Sequence, residues 1–408
     1  MKLGRLLPAM AVVGLSIVAC GGGGNTGGNS PSATVPPDLS VSSFTADFSY
    51  MAKLKDLVNA GSGSVDVILP DTTTSARYVT FDLPYLKQAF DGAGYKSSDY
   101  NIQNAQGTST TELAIAQADI TKGAKVILVD QTDTPTGQAV QAYAQQHGVK
   151  VIAYDRAIFT GSNTYYVSFD NVQVGKLIGQ GFLQCVTKWN VQSPKVYELD
   201  GGRDIDANAV SFAQGYNQAI WGDSGQQPDG KTNSQGMTLV HEDFAAGWDN
   251  AKGGATFQTF FTAHRSINAT VEANDGLGNA VVNVLKNSGI QPGKVPTTGQ
   301  DATPQGLENI LTGWQCGTVY KPIYLEAQDA VALATVLRAG QTPPQALLNG
   351  NTSPPSGQQG NQQPASLLTP IWVDTSNMES TVIKDKFVDA ATICGAVSAA
   401  VCQQYNIS

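Results

Sequence analysis

Polar side chains with planar, forked ends recur along this chain, each set placed just after a short β-branched run. Asp71 and then Arg77-Tyr78 follow Ser64–Leu69, Asp155-Arg156 follow Val149–Ala153, and Asp206-Ala207-Asn208 follow Lys195–Leu199. Asn274-Asp275 follow Ala269–Glu272, Gln300-Asp301 follow Val295–Thr298, and Lys321 ends Thr318–Tyr320. Little in this set does acid–base work. Carboxylate and amide oxygens beside guanidinium groups do match vicinal hydroxyls, each of which offers one donor and two acceptors. A sugar needs such a lining. A neutral ligand brings no counterion, so the charges around it should nearly cancel. Arg77, Arg156 and Lys321 against Asp155, Asp206 and Asp301 meet that condition. Tyr78, Phe244 and Trp248 are the aromatic candidates for the apolar faces of the ligand. Any one of these residues is an ordinary turn or cap; the recurrence of the set is what points to a site.

The elements that must position these groups alternate. Ser64–Leu69, Lys125–Val129 and Val149–Ala153 read as strands, the last two as continuous apolar runs of the kind that helices cover on both faces. Helical stretches fall at 76–93, closed by Gly94, and at 111–121 and 137–146. The pattern restarts with a strand at Tyr165–Ser168, a helix at 172–188, a strand at Lys195–Leu199 and a helix at 207–220. Strands near Thr238–His241 and Ala269–Glu272 follow, each with a helical stretch behind it. Repeated strand–helix units imply parallel sheets with right-handed crossovers. Two successive sets predict an α/β chain of two doubly wound lobes. Ligands in such sheets sit beyond the carboxyl ends of the strands, where the polar groups lie.

The chain opens with Lys2 and Arg5, a mostly apolar run from Leu6 to Val18, and Ala19-Cys20. This reads as a lipoprotein signal peptide over residues 1–19, with Cys20 taking the lipid. The run is short and interrupted by Pro8 and Gly14, which argues against a membrane span. Residues 20–45, rich in Gly, Asn, Ser, Thr and Pro, read as a flexible tether. A second low-complexity segment at 341–366 reads as a surface insertion or mobile loop. The formal charge of −9 disfavours nucleic acid, which needs a basic surface. It also disfavours anionic lipid as a partner beyond the anchor. Four cysteines remain after Cys20. Cys394 and Cys402 lie close together and are expected to form a disulfide; Cys185 and Cys316 either pair or stay as buried thiols.

Catalysis has weak support. Gly222-Asp223-Ser224-Gly225 resembles a serine protease nucleophile segment and Thr262-Ala263-His264 its histidine segment, but their order is wrong and the strand–helix alternation contradicts that fold. His147, His241 and His264 lack metal-ligand spacing. Gly276-Leu277-Gly278 has Val281 where a dinucleotide fingerprint needs its third glycine. No metal and no cofactor is expected, and the chain reads as a non-enzyme.

Five stretches carry a family resemblance: Val149–Arg156, Tyr166–Asn171 with Val174-Gly175, Asp206–Ala209, Thr298–Ala302 and Thr318–Pro322. Through them the chain resembles the periplasmic sugar-binding proteins of ABC importers, of the D-xylose-binding and multiple sugar-binding type, from about Asp66 to Leu337 and again, weakly, beyond Leu367. The resemblance implies the type I periplasmic binding fold: two Rossmann-like lobes joined by a three-strand hinge and closing on one monosaccharide. It places residues 46–160 and 300–321 in the N-terminal lobe and 161–299 and 322–408 in the C-terminal lobe. It implies that Arg77 and Tyr78 supply a first-lobe arginine and stacking aromatic, and that Asp155 and Arg156 bind ring hydroxyls. Asn208 and Asn274 would reach in from the second lobe, with Asp301 and Lys321 beside the hinge. Trp248 or Phe244 would form the second aromatic wall. Asp206-Ala207-Asn208 departs from the Asp-Asn-Asn frequent in relatives, and Tyr78 stands where tryptophan is common. The implied partners are an ABC permease and its ATPase subunit, for a monomer lipid-anchored at the extracytoplasmic face of a bacterial membrane. A sugar-sensing receptor built on the same lobes is the alternative.

Overall fold

The computed structural model describes residues 33–75 and 77–408; the expected signal peptide, Cys20 and the first part of the tether lie outside them. The N-terminal half runs α1 (Lys55–Ala60), β1 (Ser64–Leu69), α2 (Leu83–Ala93), β2 (Tyr100–Asn104) and α3 (Ser109–Lys122). It continues with β3 (Ala124–Val129), α4 (Thr134–Gln146), β4 (Lys150–Tyr154) and β5 (Thr164–Phe169). Next come α5 (Asn171–Lys188), β6 (Lys195–Asp200), α6 (Ala207–Trp221), β7 (Thr238–Phe244), α7 (Asn250–Ala263), β8 (Ala269–Glu272) and α8 (Asp275–Asn287). Then follow α9 (Pro304–Leu311), β9 (Thr318–Tyr320), α10 (Ile323–Arg338), β10 (Gly350–Thr352), β11 (Gln363–Leu368) and β12 (Ile371–Val373). The chain ends in α11 (Ala390–Ala396) and α12 (Ala399–Gln404). Gly94 closes α2 in the left-handed conformation at φ 85°, where glycine has no Cβ penalty.

Among the described residues the first sheet has the order β10-β11-β5-β4-β3-β1-β2, parallel except for the β10–β11 pair. Its central strands are buried on both faces, as their unbroken Val/Ile/Leu runs require. The second sheet has β6 flanked by β7 and β8, all parallel. Residues 296–300 extend it: Thr270 N bonds Pro296 O at 2.9 Å, and Val319 N bonds Gly299 O at 3.0 Å. That carries the sheet on to β9, which pairs antiparallel with β12. The chain passes between lobes at Phe169–Asn171, at Tyr320–Ile323 and at Leu368–Ile371, the three crossings of a hinge. The fold class is the one the sequence implied.

The lobe boundaries differ from expectation. β5 was placed in the second lobe but pairs with β4, Ala153 opposite Tyr166, because residues 155–163 return beside β4 without a helix. The first lobe therefore ends at Phe169 and not near 160. The segment 300–321 was assigned to the first lobe, yet its backbone bonds attach it to the second sheet. Helix α10, given to the second lobe, is buried along its length and packs with Val65, Val67, Leu86 and Phe90 in the first core. The 341–366 segment is not a loose loop. It supplies β10 and most of β11, and it covers the open side of β5. The tether also stops short of 45. Leu39 and Phe44 are buried, and Val41 N bonds Ala346 O at 3.1 Å.

Two disulfides hold the chain. Cys394–Cys402 joins α11 to α12, and Cys185–Cys316 ties α5 to the segment before β9. The second pairing was open in the sequence. Both cysteines face one another because α5 lies against β9 and β12, where Gly181 and Gly317 leave room for the Trp372 ring.

Candidate functional site

The carboxyl ends of both sheets face one cleft. A small polar cavity opens there. All nine residues expected from sequence line it: Arg77, Tyr78, Asp155, Arg156, Asn208, Trp248, Asn274, Asp301 and Lys321. Thr74, Ser75, Asp206, Phe212 and Gln300 complete it. Phe244, the other aromatic candidate, is 37% exposed and does not line the cavity, whereas Trp248 is buried.

Tyr78 opens a widened helical turn, Tyr78–Asp82, that leads into α2. Such turns often occur at functional positions. Just before it, Arg77 is almost wholly buried and already occupied. Its Nε and Nη2 bond Asp82 at 2.9 and 2.7 Å, Nη2 bonds Glu326 at 2.7 Å, and Nη1 bonds Asp155 at 2.6 Å. Arg77 thus acts first as a clamp that fixes Asp155. Asp155 has φ 56°, Trp248 58° and Asp301 91°, a strained left-handed backbone at three cavity positions. Asp155 Oδ1 takes the Arg77 bond and lies 3.7 Å from Lys321 Nζ. Its Oδ2 takes no hydrogen bond among the described residues. Lys321 Nζ sits 3.0 Å from Asp301. Gln300 Oε1 is buried without a partner, an acceptor left for a ligand.

The second lobe contributes capping residues. Asp206 caps α6 through Asn208 N at 2.9 Å, and its other oxygen orients the Trp248 indole at 3.1 Å. Trp248 lies on Gly201 and Gly202, where any Cβ would overlap its ring. Asn274 caps α8 through its Oδ1 and lines the cavity. Asn208 is placed differently from expectation. Its Nδ2 donates to Asp155 O at 2.7 Å and its Oδ1 accepts from Ala157 N at 3.4 Å. Its amide thus joins lobe to lobe. Thr134 adds two more such bonds, N and Oγ1 each 3.0 Å from Ile205 O.

More acids meet the three cations than the sequence suggested. Arg156 lies 3.7 Å from Asp130 and 3.6 Å from Asp206, and its guanidinium is 5.7 Å from the Tyr78 ring centre. Asp130, Asp82 and Glu326 surround the three cations without lining the cavity. Burial pushes the Asp130 carboxyl well up, and both its oxygens lack partners. Burial also raises Glu326 against the pull of Arg77, and Asp206 against Arg156. Burial would raise Asp155 too, but Arg77, Lys321 and Arg156 outweigh it and hold it lowered. Lys321 stays protonated: burial lowers it, while Asp301 and Asp155 more than compensate. Burial thus favours the neutral form of Asp130, Glu326 and Asp206, which offsets the excess of carboxyl groups around the three cations.

Sequence reasoning missed Phe212, Thr74 and Ser75 as lining residues, and it named Gln300 only as a strand-end neighbour of Asp301. Gln300 stands next to Asp301 in a quoted motif, so its signal was present; Thr74 and Ser75 sit in a loop capped by Asp71 with no local signature. Gly222 only closes α6 at φ 77°, and His264 only ends α7. Neither lines the cavity. Among the described residues no cluster of His, Cys, Asp or Glu is arranged to hold a metal, and no helix is long and apolar enough to cross a membrane.

Two parallel-stranded lobes, three crossings and a polar cleft between them define a type I binding-protein fold. Residues 66–342 match the family model of the periplasmic binding protein domain, and the chain belongs to that family. It is 32% identical over 289 residues to the D-xylose-binding periplasmic protein of Escherichia coli, covering 70% of this chain and 80% of that one. It is 31% identical over 337 residues to the multiple sugar-binding periplasmic protein SbpA of Azospirillum brasilense, covering 80% and 90%. Among solved structures, a solute-binding protein of an ABC transporter from Clostridium phytofermentans with bound β-D-glucose superposes with TM-score 0.69. That match has 22% identity and covers 81% of this chain and 99% of the other; it speaks to the fold.

Proposed function

We propose that this chain captures a monosaccharide, xylose or a similar pentose or hexose, by lobe closure and delivers it to an ABC permease driven by a separate ATPase subunit. One observation carries the reading: nine polar and aromatic side chains, distant in sequence, line one cleft in which cations and carboxyl groups alternate. A ligand that touches both lobes only when they close biases the open–closed equilibrium by its differential affinity. The names of the relatives, which bind xylose and multiple sugars, favour the same ligand class. The chain itself hydrolyses nothing in this reading. It acts as a monomer outside the cytoplasmic membrane, held by lipid on Cys20. Calorimetric titration of residues 33–408 with xylose, arabinose, ribose, glucose and galactose tests the proposal. Saturable binding of at least one is expected; no heat and no shift in melting temperature with any at millimolar concentration would overturn it.

A further inference from the structure

The family match ends at residue 342, yet the chain beyond it returns to the hinge. Asp385 Oδ2 accepts hydrogen bonds from Tyr320 Oη and Tyr324 Oη, each 3.1 Å long. These tyrosines flank Lys321-Pro322, the crossing that carries the cavity lysine. Lys386 takes φ 57°, which turns the chain so that Asp385 and Phe387 both face inward. Phe387 stacks on Phe81 at 4.0 Å between ring centres and meets Tyr320 edge-on at 4.9 Å. Phe81 belongs to the widened turn that begins at Tyr78. Beyond it, Ile393, Cys402 and Ile407 are buried in the same apolar cluster as Leu307 and Ile310 of α9. The Cys394–Cys402 disulfide staples that end of the segment.

We propose that residues 374–407 form a clasp on the hinge, with Asp385 and Phe387 as positioning residues for Lys321 and for the Arg77–Tyr78 turn. The clasp grips one crossing on both sides and presses on the first-lobe turn, so it sets the angle at which Lys321 meets Asp155 and Asp301. The consequence for affinity rests on the monosaccharide reading above; the mechanical coupling does not.

The test compares the wild-type protein with Asp385→Ala, Asp385→Asn and Phe387→Leu, each held well below its own melting temperature. Two readouts are taken: xylose or the best-bound panel sugar by calorimetry and stopped flow, and amide exchange of segments 299–302 and 318–327. Asp385→Ala and Phe387→Leu are expected to weaken binding by about 2- to 30-fold, the range for mutations that act through a coupled network. The loss should appear as faster sugar release, with faster exchange at both segments. Asp385→Asn keeps an acceptor and should restore most of both. If the variants fold with wild-type affinity and wild-type exchange, the clasp is refuted. If even the wild type binds no sugar, the monosaccharide reading fails and exchange alone decides the clasp. Should Asp385→Ala not fold, Phe387→Leu and the Asn variant carry the same comparison.

Discussion

Asn208→Ala separates a lobe-to-lobe latch from a sugar contact. The Asn208 amide makes one strong bond across the cleft, to Asp155 O at 2.7 Å, and two long ones, to Tyr166 Oη and from Ala157 N, each at 3.4 Å. The truncation leaves Asp155 O with the Tyr166 hydroxyl at 2.7 Å, so that carbonyl is not orphaned. The loss is then the net worth of one good bond and two weak ones, about 1–1.5 kcal/mol in total. These bonds exist only when the lobes meet, so the closed form is disfavoured by about 5- to 12-fold. Apparent affinity falls by the same factor, because binding competence scales with the closed population. The assay is a titration of wild type and Asn208→Ala with every sugar that binds and with its deoxy analogues. A latch weakens all of them by one common factor, chiefly through faster release. A direct hydroxyl contact instead spares the analogue that lacks the hydroxyl. Selective immunity of one deoxy sugar would refute the latch.

Asp155→Ala removes the anchor of Arg77 and a partner of Lys321, so affinity should fall by about 10- to 150-fold, as for a lost charged hydrogen bond; an unchanged calorimetric isotherm sinks that role. Stability should fall as pH rises from about 4.5 to 8. Burial raises Glu272 to about 8 and Asp275 and Asp329 to about 7, while the unfolded chain releases these protons near 4. The native state binds more protons across that window, so its advantage is full below it and shrinks as pH climbs. Melting curves that rise with pH there contradict this, and Glu272→Gln should flatten the trend. Reducing Cys185–Cys316, which closes a loop of 131 residues, should cost about 5 kcal/mol, against about 2.5 kcal/mol for Cys394–Cys402. Denaturant melts of the two serine double variants check that order. Gly201→Ala should displace Trp248 and weaken every sugar more than it lowers the melting temperature; equal, small effects on both argue against Trp248 as a wall.

Strand type and order were legible because each run carries its own period, and the cavity was legible because ligand-facing residues follow strand ends. Sheet membership was not. Tyr165–Ser168 looks like the first strand of a new repeat, and nothing local says that a helix-free loop folds it back onto β4. Asn208 read as a hydroxyl partner because an amide looks the same whether it meets a sugar or a backbone carbonyl. Arg77 read as free because Glu326 lies 249 residues away, and nothing local says that Asp82, five residues on, turns back onto the guanidinium. The low-complexity composition of 341–366 hid β10 and β11, since a strand that only caps an edge needs few apolar residues.

The position of β11 has a consequence for biogenesis. Its neighbour β5 is complete at residue 169, but β11 begins at residue 363, and α10 reaches the same lobe only at 323–338. Because the N-terminus leaves the ribosome first, the N-terminal lobe must wait for nearly the whole polypeptide. Until then β5 presents an unpaired edge, a template for aggregation, and maturation depends on contacts of long sequence separation that form slowly.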